Sequence, residues 1–292
     1  MDVIREYNTD QLVALLPLPA DDANKYTRGM LTALVGSARY PGAACLAAYA
    51  SQRMGAGYTE VLTDPQVVSI VHAWRPSLVA RPWNDQSSIA APTTPSKPRA
   101  CIIGSGFESN DSATEALVHY VLKHAPMPVL VDGGGLGALA SKKSQRLLKR
   151  RFLNGWDTII TPHGGEAARL AHSLDLPTDN QAELSRLIAL AFGVTAVIKG
   201  ADTYLSDGEE VVRMTHGTAA LAKAGTGDVL AGMMGALLAQ GIAPLDAAVL
   251  GTDLHARAGR IAASQLSIIA VTAEDIIECI PAAIAELASA EK

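Results

Sequence analysis

The stretch AKAGTGDVLAGMMGALLAQG (residues 222–241) places a threonine between two glycines, follows them with Asp228, and then becomes a smooth apolar helical pattern. Gly225 and Gly227 let the backbone turn tightly and bring its amides close to a ligand. The helix behind them points unpaired N–H groups and its positive dipole end at the same place, which favours an anion, most commonly phosphate. An acid beside a phosphate is repelled, so Asp228 needs a reason to be there. Capping of the helix by Thr226 or Asp228 is the plain explanation. A catalytic carboxylate explains the setting better, because a neighbouring phosphate raises its pKa and readies it to take a proton from an alcohol. The chemistry so read is phosphoryl transfer to a hydroxyl, with the amides of Gly225, Thr226 and Gly227 steadying the migrating group.

Other stretches carry polar groups at the ends of β-type runs. GSARYPGA (residues 36–43) joins a strand to a helix, with Gly42 and Ala43 small where a flat ring or a ribose could approach, or simply a tight turn. IIGSGFES (residues 102–109) keeps Gly104 and Gly106 for close backbone approach, with Glu108 adding charge. His163 in TPHGGE follows a strand, where the carboxyl edge of a parallel sheet makes ligand contact the expected role. Glu166, three residues on, either begins a helix or holds a magnesium-bound water. KGADT (Lys199, Gly200, Ala201, Asp202, Thr203) ends a strand with several polar groups. His216 is expected to face the pocket, His255 to be structural, and the basic run KKSQRLLKRR to be a solvated helix face.

These residues must be positioned by alternating elements. Strands are expected over residues 30–36, 58–63 and from Arg99, Pro128, Asp157 and Thr195. Helices are expected over residues 42–55 and from Ser112, Ser141 and Asn180, with Ser112 and Glu115 forming a capping box. Asp207-Gly208 marks a hairpin within residues 202–215, and two helices close the chain. This order predicts an α/β fold: a mainly parallel central sheet with helices on both faces. Residues 1–292 read as one domain, with 1–24 an N-terminal extension packed on it and 84–98 an exposed internal loop rich in Pro, Ser and Thr.

The chain has 292 residues, a formal net charge of −5, 49% hydrophobic residues and 18% charged ones. That length suits one large domain. Mild acidity argues against nucleic-acid binding, which needs a basic face. Cys45, Cys101 and Cys279 lie far apart in apolar runs, so buried free thiols and a reducing compartment are expected. No signal peptide or membrane span is read, and the expected location is the cytoplasm.

AGTGDVLAGMMGALLAQG resembles the glycine–aspartate signature of the ribokinase-like superfamily. Within it, residues 35–63, TPHGGEAARL and VIKGADTYLSDG are similar to motifs of the ADP-dependent NAD(P)H-hydrate dehydratases, and the likeness runs from about Lys25 to the C-terminal helices. The resemblance implies that ADP phosphorylates the hydroxyl of the (6S) hydrates of NADH and NADPH, after which phosphate leaves and the dihydropyridine is restored. It implies that Ala43, Gly106, His163 and Asp228 contact the hydrate. It implies that Lys199 to Thr203 and the loop Gly225, Thr226 and Gly227 hold ADP, with Mg2+ screening the diphosphate and Glu166 reaching it through water. Self-association, up to a tetramer, is expected with it. The chain departs from the family pattern in two places. Ser105 and Phe107-Glu108 replace Pro and Leu-Gly, and VDGGGLGAL (residues 131–139) keeps Asp132 but has Gly134 and Gly137 where an acid and Asn are usual. Two other readings share the phosphoryl-transfer loop: a kinase of a small vitamin-precursor alcohol, and a catalytically degenerate nucleotide-binding protein.

Overall fold

Along residues 99–103, Ala100 and Ile102 are buried in one apolar cluster and Cys101 and Ile103 in another. Successive strand side chains point to opposite faces, so a strand with no polar side must be covered on both. The computed structural model describes residues 4–109 and 111–290 and shows that arrangement. The chain begins with β1 (Ile4–Arg5), α1 (Thr9–Ala14), β2 (Met30–Leu34), α2 (Pro41–Arg53), β3 (Tyr58–Thr63), α3 (Val68–Trp74) and β4 (Val79–Pro82). It continues with β5 (Arg99–Ile103), α4 (Ser112–His124), β6 (Val129–Val131), α5 (Lys142–Leu153), β7 (Thr158–Ile160), α6 (Gly164–His172), α7 (Gln181–Phe192) and β8 (Thr195–Ile198). It ends with the hairpin β9 (Thr203–Ser206) and β10 (Val211–Met214), then α8 (Thr226–Ala239), α9 (Pro244–Leu266) and α10 (Ala273–Ser289).

The strands form one sheet in the order β1-β10-β9-β8-β7-β6-β5-β2-β3-β4. Every pairing is parallel except the two that β9 makes, with β8 and β10. Helices α2, α8, α9 and α10 cover one face, and α4 to α7 the other. Beyond its first turn α8 is apolar all round because it lies between the sheet and α2. A Cβ at Gly232 would stand 2.1 Å from the Ala47 carbonyl oxygen, and one at Gly235 would stand 2.4 Å from Ile102.

The expected strands and helices are present, with some corrections. Asp111, not Ser112, caps α4, accepting from the amides of Ala113 and Thr114. An acid one residue earlier reaches both amides, so Ser112 falls inside the first turn. The internal loop is anchored by Ile89, which is wholly buried, so residues 84–98 are not exposed throughout. β1, α1, α3 and β4 were not foreseen. Of the N-terminal extension, β1 extends the sheet beside β10 and Leu12 of α1 joins the core, while residues 1–3 lie outside the described residues. The three cysteines are free and buried.

The basic run on α5 is not wholly a solvated face. Arg151 is 1% exposed and donates to the carbonyls of Ala125, Met127 and Asp157 and to Thr158 Oγ1 at 2.7–3.1 Å. Burial pulls its pKa down to about 10. It ties the α4–β6 connection to the start of β7. Arg151→Met keeps the stem and strands these acceptors, so it should cost about 3 kcal/mol in a urea melt. A loss under about 1 kcal/mol would mean that water replaces the guanidinium there.

Candidate active site

The chain leaves β2 toward β3 and β4 on one side, whereas β5 leads to β6, β7 and β8 on the other. The loops leaving the carboxyl ends of β2 and β5 therefore diverge, and a crevice opens between them. A cavity of about 660 Å³ fills it, lined by Arg39, Tyr40, Ala43 and Leu46 after β2, Gly106 and Glu108 after β5, and Gly225 and Asp228. A larger cavity of about 820 Å³ is lined by His163, Lys199, Gly200, Ala201, Thr203, Thr226 and Gly227, with Asp253 and His255 from α9. Ala224 lines both, so the two spaces approach each other across the glycine loop.

At that seam α8 begins. Gly225 is its N-cap with φ 91°, and no side chain caps the helix. Only glycine takes that backbone shape without strain. Thr226 turns backwards, its Oγ1 donating to the carbonyls of Leu221 at 2.8 Å and Lys223 at 2.9 Å. The capping explanation for Thr226 and Asp228 is thereby overturned, and the first amides of α8 have no side-chain cap among the described residues. Asp228 is half-buried, and its pKa is pushed up to about 7 by burial and then by the charge of Asp132, against the pull of Lys199. The protein itself thus does what the sequence suggested a ligand phosphate would do.

Asp132, at the end of β6, is 3% exposed. It accepts from Thr161 Oγ1 at 2.6 Å, Lys199 Nζ at 2.9 Å and Ser105 Oγ at 2.9 Å. Burial works against its charge, but the Lys199 ammonium and these bonds hold its pKa below the usual carboxylate range. Lys199 in turn is held above the usual lysine range, burial being outweighed by Asp132 and by the more distant Glu166 and Asp228. Its Nζ stands 3.6 Å from where a Cβ on Gly227 would be. Four strand ends, those of β5, β6, β7 and β8, thus meet at one charge pair at the foot of the glycine loop. Ser105, where the family pattern has Pro, supplies one of its bonds. Gly134 is set by packing: a Cβ there would meet the Phe107 carbonyl oxygen at 2.2 Å.

Ala43, Gly106 and Asp228 come together in the smaller cavity, whereas His163 stands on the wall of the larger one beside Lys199, Gly200, Ala201 and Thr203. Asp202 is not on that wall; its carboxylate is bound by Arg213 at 2.6 Å. His163 caps α6, its Nδ1 accepting from the Gly165 amide at 3.0 Å, and Glu166 Oε2 accepts from the His163 amide at 2.9 Å. Glu166 therefore begins the helix with one oxygen and keeps the other free of that duty. Among the described residues no three His, Cys, Asp or Glu side chains converge as a metal cage.

His216 lines the larger cavity, as expected. His255 was expected to be structural, but it too lies on that wall, buried, with its pKa pulled down to about 4 by burial and by Lys199. His255 Nε2 and Asp253 Oδ1 have no hydrogen-bond partner among the described residues. The signal in the sequence was an acid and a histidine two apart in the middle, Ala-rich part of the helix.

Comparison with known proteins bears on this geometry. The chain matches the family model described as NAD(P)H-hydrate dehydratase over residues 31–282. It is 32% identical over 276 residues to the ADP-dependent (S)-NAD(P)H-hydrate dehydratase of Xanthomonas campestris, covering 91% of each chain. It is 33% identical over 254 residues to a bifunctional NAD(P)H-hydrate repair enzyme of Mycobacterium leprae, covering 87% of this chain and 50% of that protein. The chain thus spans about half the length of the bifunctional relatives it matches. Its structure superimposes on the ADP/ATP-dependent NAD(P)H-hydrate dehydratase of Bacillus subtilis, co-crystallised with ATP and Mg2+. The TM-score is 0.81 at 25% identity, with coverage of 97% of this chain and 99% of that one. A ribokinase-like sheet, an acid at the head of a glycine-led helix and a match across most of the length meet in one conclusion: the chain belongs to the NAD(P)H-hydrate dehydratase family.

Proposed function

We propose that this chain removes water from the (6S) hydrates of NADH and NADPH, using ADP as the phosphoryl donor. The observation that carries the reading is the position of Asp228, a carboxylate with a raised pKa at the seam between two cavities and beside uncapped helix amides. Asp228 takes the proton of the hydrate hydroxyl, and that oxygen attacks the terminal phosphorus of ADP as the bond to AMP breaks. Phosphate then departs with the C–O electron pair while the ring nitrogen supplies electrons. Loss of a proton from the adjacent carbon restores the double bond. Hydroxide is a poor leaving group and phosphate a good one, which is the reason to spend a phosphoryl group on a dehydration.

In this reading the smaller cavity takes the hydrate against Ala43 and Gly106. The larger takes ADP against Lys199, Gly200, Ala201, Thr203, Thr226 and Gly227. His163 reaches the hydrate from the larger side. Asp202 acts by holding Arg213 and not by touching the nucleotide. Mg2+ prefers a few carboxylates plus phosphates and water to an all-protein cage, and Glu166 Oε1, which faces His163 Nε2 at 3.6 Å and takes no part in the cap, fits such an ion arriving with the nucleotide. When bound, the ion screens the diphosphate charge. One continuous sheet from β1 to β4 supports treating the described residues as one domain. Buried free thiols agree with a reducing compartment such as the cytoplasm, and among the described residues no helix is long and apolar enough to cross a membrane.

The test is to incubate the protein with NADPH hydrate and either ADP or ATP, and to follow the return of dihydronicotinamide absorbance. Recovery with ADP is expected, with AMP and phosphate formed one for one. Phosphorylation of a thiazole or pyrimidine alcohol with no recovery would favour the kinase reading instead. Nucleotide binding with no turnover at all would mark the site as degenerate.

A further inference from the structure

We propose that Arg39 and Glu108 form a phosphate subsite for the dinucleotide, in which a substrate oxyanion takes the place of the Glu108 carboxylate on the Arg39 guanidinium. That the occupant is a dinucleotide rests on the dehydratase reading; that it is an anion rests on the geometry. Arg39 is the one cation on the wall of the smaller cavity among the described residues. Its Nη1 lies 3.0 Å from Glu108 Oε2, with the two side chains 65% and 45% exposed. An ion pair so open to solvent is worth little, so exchanging one acceptor for another costs little, and a guanidinium grips a phosphate with two parallel bonds where a carboxylate would sit.

The second observation is the amino end of α2, which opens into the same cavity. Tyr40 is its N-cap, no side chain caps it, and Pro41 follows. Its positive end therefore faces the space beside Arg39 with no acid of its own. The path between is clear, since a Cβ at Gly42 would meet nothing within 4 Å, whereas the side over Gly106 is closed by Ala43 and the Tyr40 carbonyl. A hydrate with its hydroxyl at Asp228 extends its sugar and phosphates along the open side, over Gly42 toward Arg39. Glu108 then acts as a built-in competitor that keeps the subsite selective for a doubly charged or longer anion.

The experiment is direct binding of the products NADH and NADPH, followed by their fluorescence, to the wild type, Arg39→Ala and Glu108→Gln. The phosphate-free dihydronicotinamide riboside serves as the control ligand. Arg39→Ala should weaken dinucleotide binding about tenfold and flatten its salt dependence. It should leave riboside binding as it was and raise KM for the hydrate with the loss falling little on kcat. Glu108→Gln should tighten binding about two- to threefold by removing the competitor. A loss shared by NADH and NADPH assigns the subsite to the pyrophosphate, and a loss confined to NADPH assigns it to the 2′-phosphate. The proposal is overturned if Arg39→Ala binds dinucleotide normally. It is equally overturned if the riboside suffers the same loss, or if Glu108→Gln weakens binding as Arg39→Ala does. Because the binding measurements need no turnover, normal dinucleotide binding without hydrate repair would count against the dehydratase reading and leave the subsite standing.

Discussion

Asp228→Asn is expected to lower kcat for hydrate repair by about a thousandfold while ADP binding stays within about twofold. General-base catalysis contributes roughly 10²–10⁴-fold, and the amide that replaces the carboxylate has the same shape but no basicity. The wild-type pH profile carries a second signature. The base works only when ionised, so with its pKa near 7 the rate should fall below that pH and level off above it. The variant's residual rate should lose that limb. Stability should move the other way. A carboxyl whose folded pKa lies above its unfolded one stabilises most when protonated, and that contribution is lost as pH rises through the folded value. Asp228→Asn should therefore unfold at higher urea than the wild type at pH 8. The advantage should shrink by about 2 kcal/mol on going to pH 5.5, at roughly 1.4 kcal/mol per pH unit. Unchanged turnover would remove Asp228 from the chemistry, and an unchanged melt would mean that it is more solvated than its surroundings suggest.

The glycine loop and Asp228 were legible in the sequence because their signal is local: two glycines, an acid and a helix pattern within a few residues. The strands were legible for a similar reason. Strands covered on both faces read as unbroken apolar runs, and their glycine ends mark where loops leave the sheet. What sequence did not give is what depends on which strands become neighbours. Nothing local says that β5 returns to the other side of β2, yet that reversal opens the cavity holding Ala43, Gly106 and Asp228. Ser105, Thr161 and Lys199 come from three separate strand ends and meet only on Asp132. Asp202 sits in a motif where a nucleotide contact was expected, but the β9–β10 hairpin brings Arg213 to it first. Arg151 was hidden by its company, since a basic residue among KKSQRLLKRR reads as solvated until the turn of the helix places it inward.

Lys199→Met and Asp132→Asn should move the acid limb of the rate profile in opposite directions. Lys199 lowers the pKa of Asp228 and Asp132 raises it. Removing the ammonium should carry the limb above pH 7, and removing the carboxylate should carry it below. A purely structural loss would not produce opposite signs. Lys199→Met should have the larger effect overall. It leaves Asp132 charged and buried with only Ser105 and Thr161 as donors, and breaking one side of such a pair costs about 3–5 kcal/mol. Asp132 is held below the usual carboxylate range and Lys199 above the usual lysine range. The stability due to Asp132 is present above its unfolded pKa and lost as pH falls through the folded one. That due to Lys199 is present below its unfolded pKa and lost as pH rises through the folded one. Both groups are charged across neutral pH, so the penalty should be nearly flat between pH 6 and 9, roughly, and the moving limb can be separated from it. The same variant removes the ammonium that stands beside Gly227, so ADP should bind about tenfold more weakly, by analogy with other point-charge contacts to phosphate. If both variants shift the limb the same way, or neither shifts it, the carboxylate that titrates in turnover is not Asp228, and the pair at its back serves only to join β6 to β8.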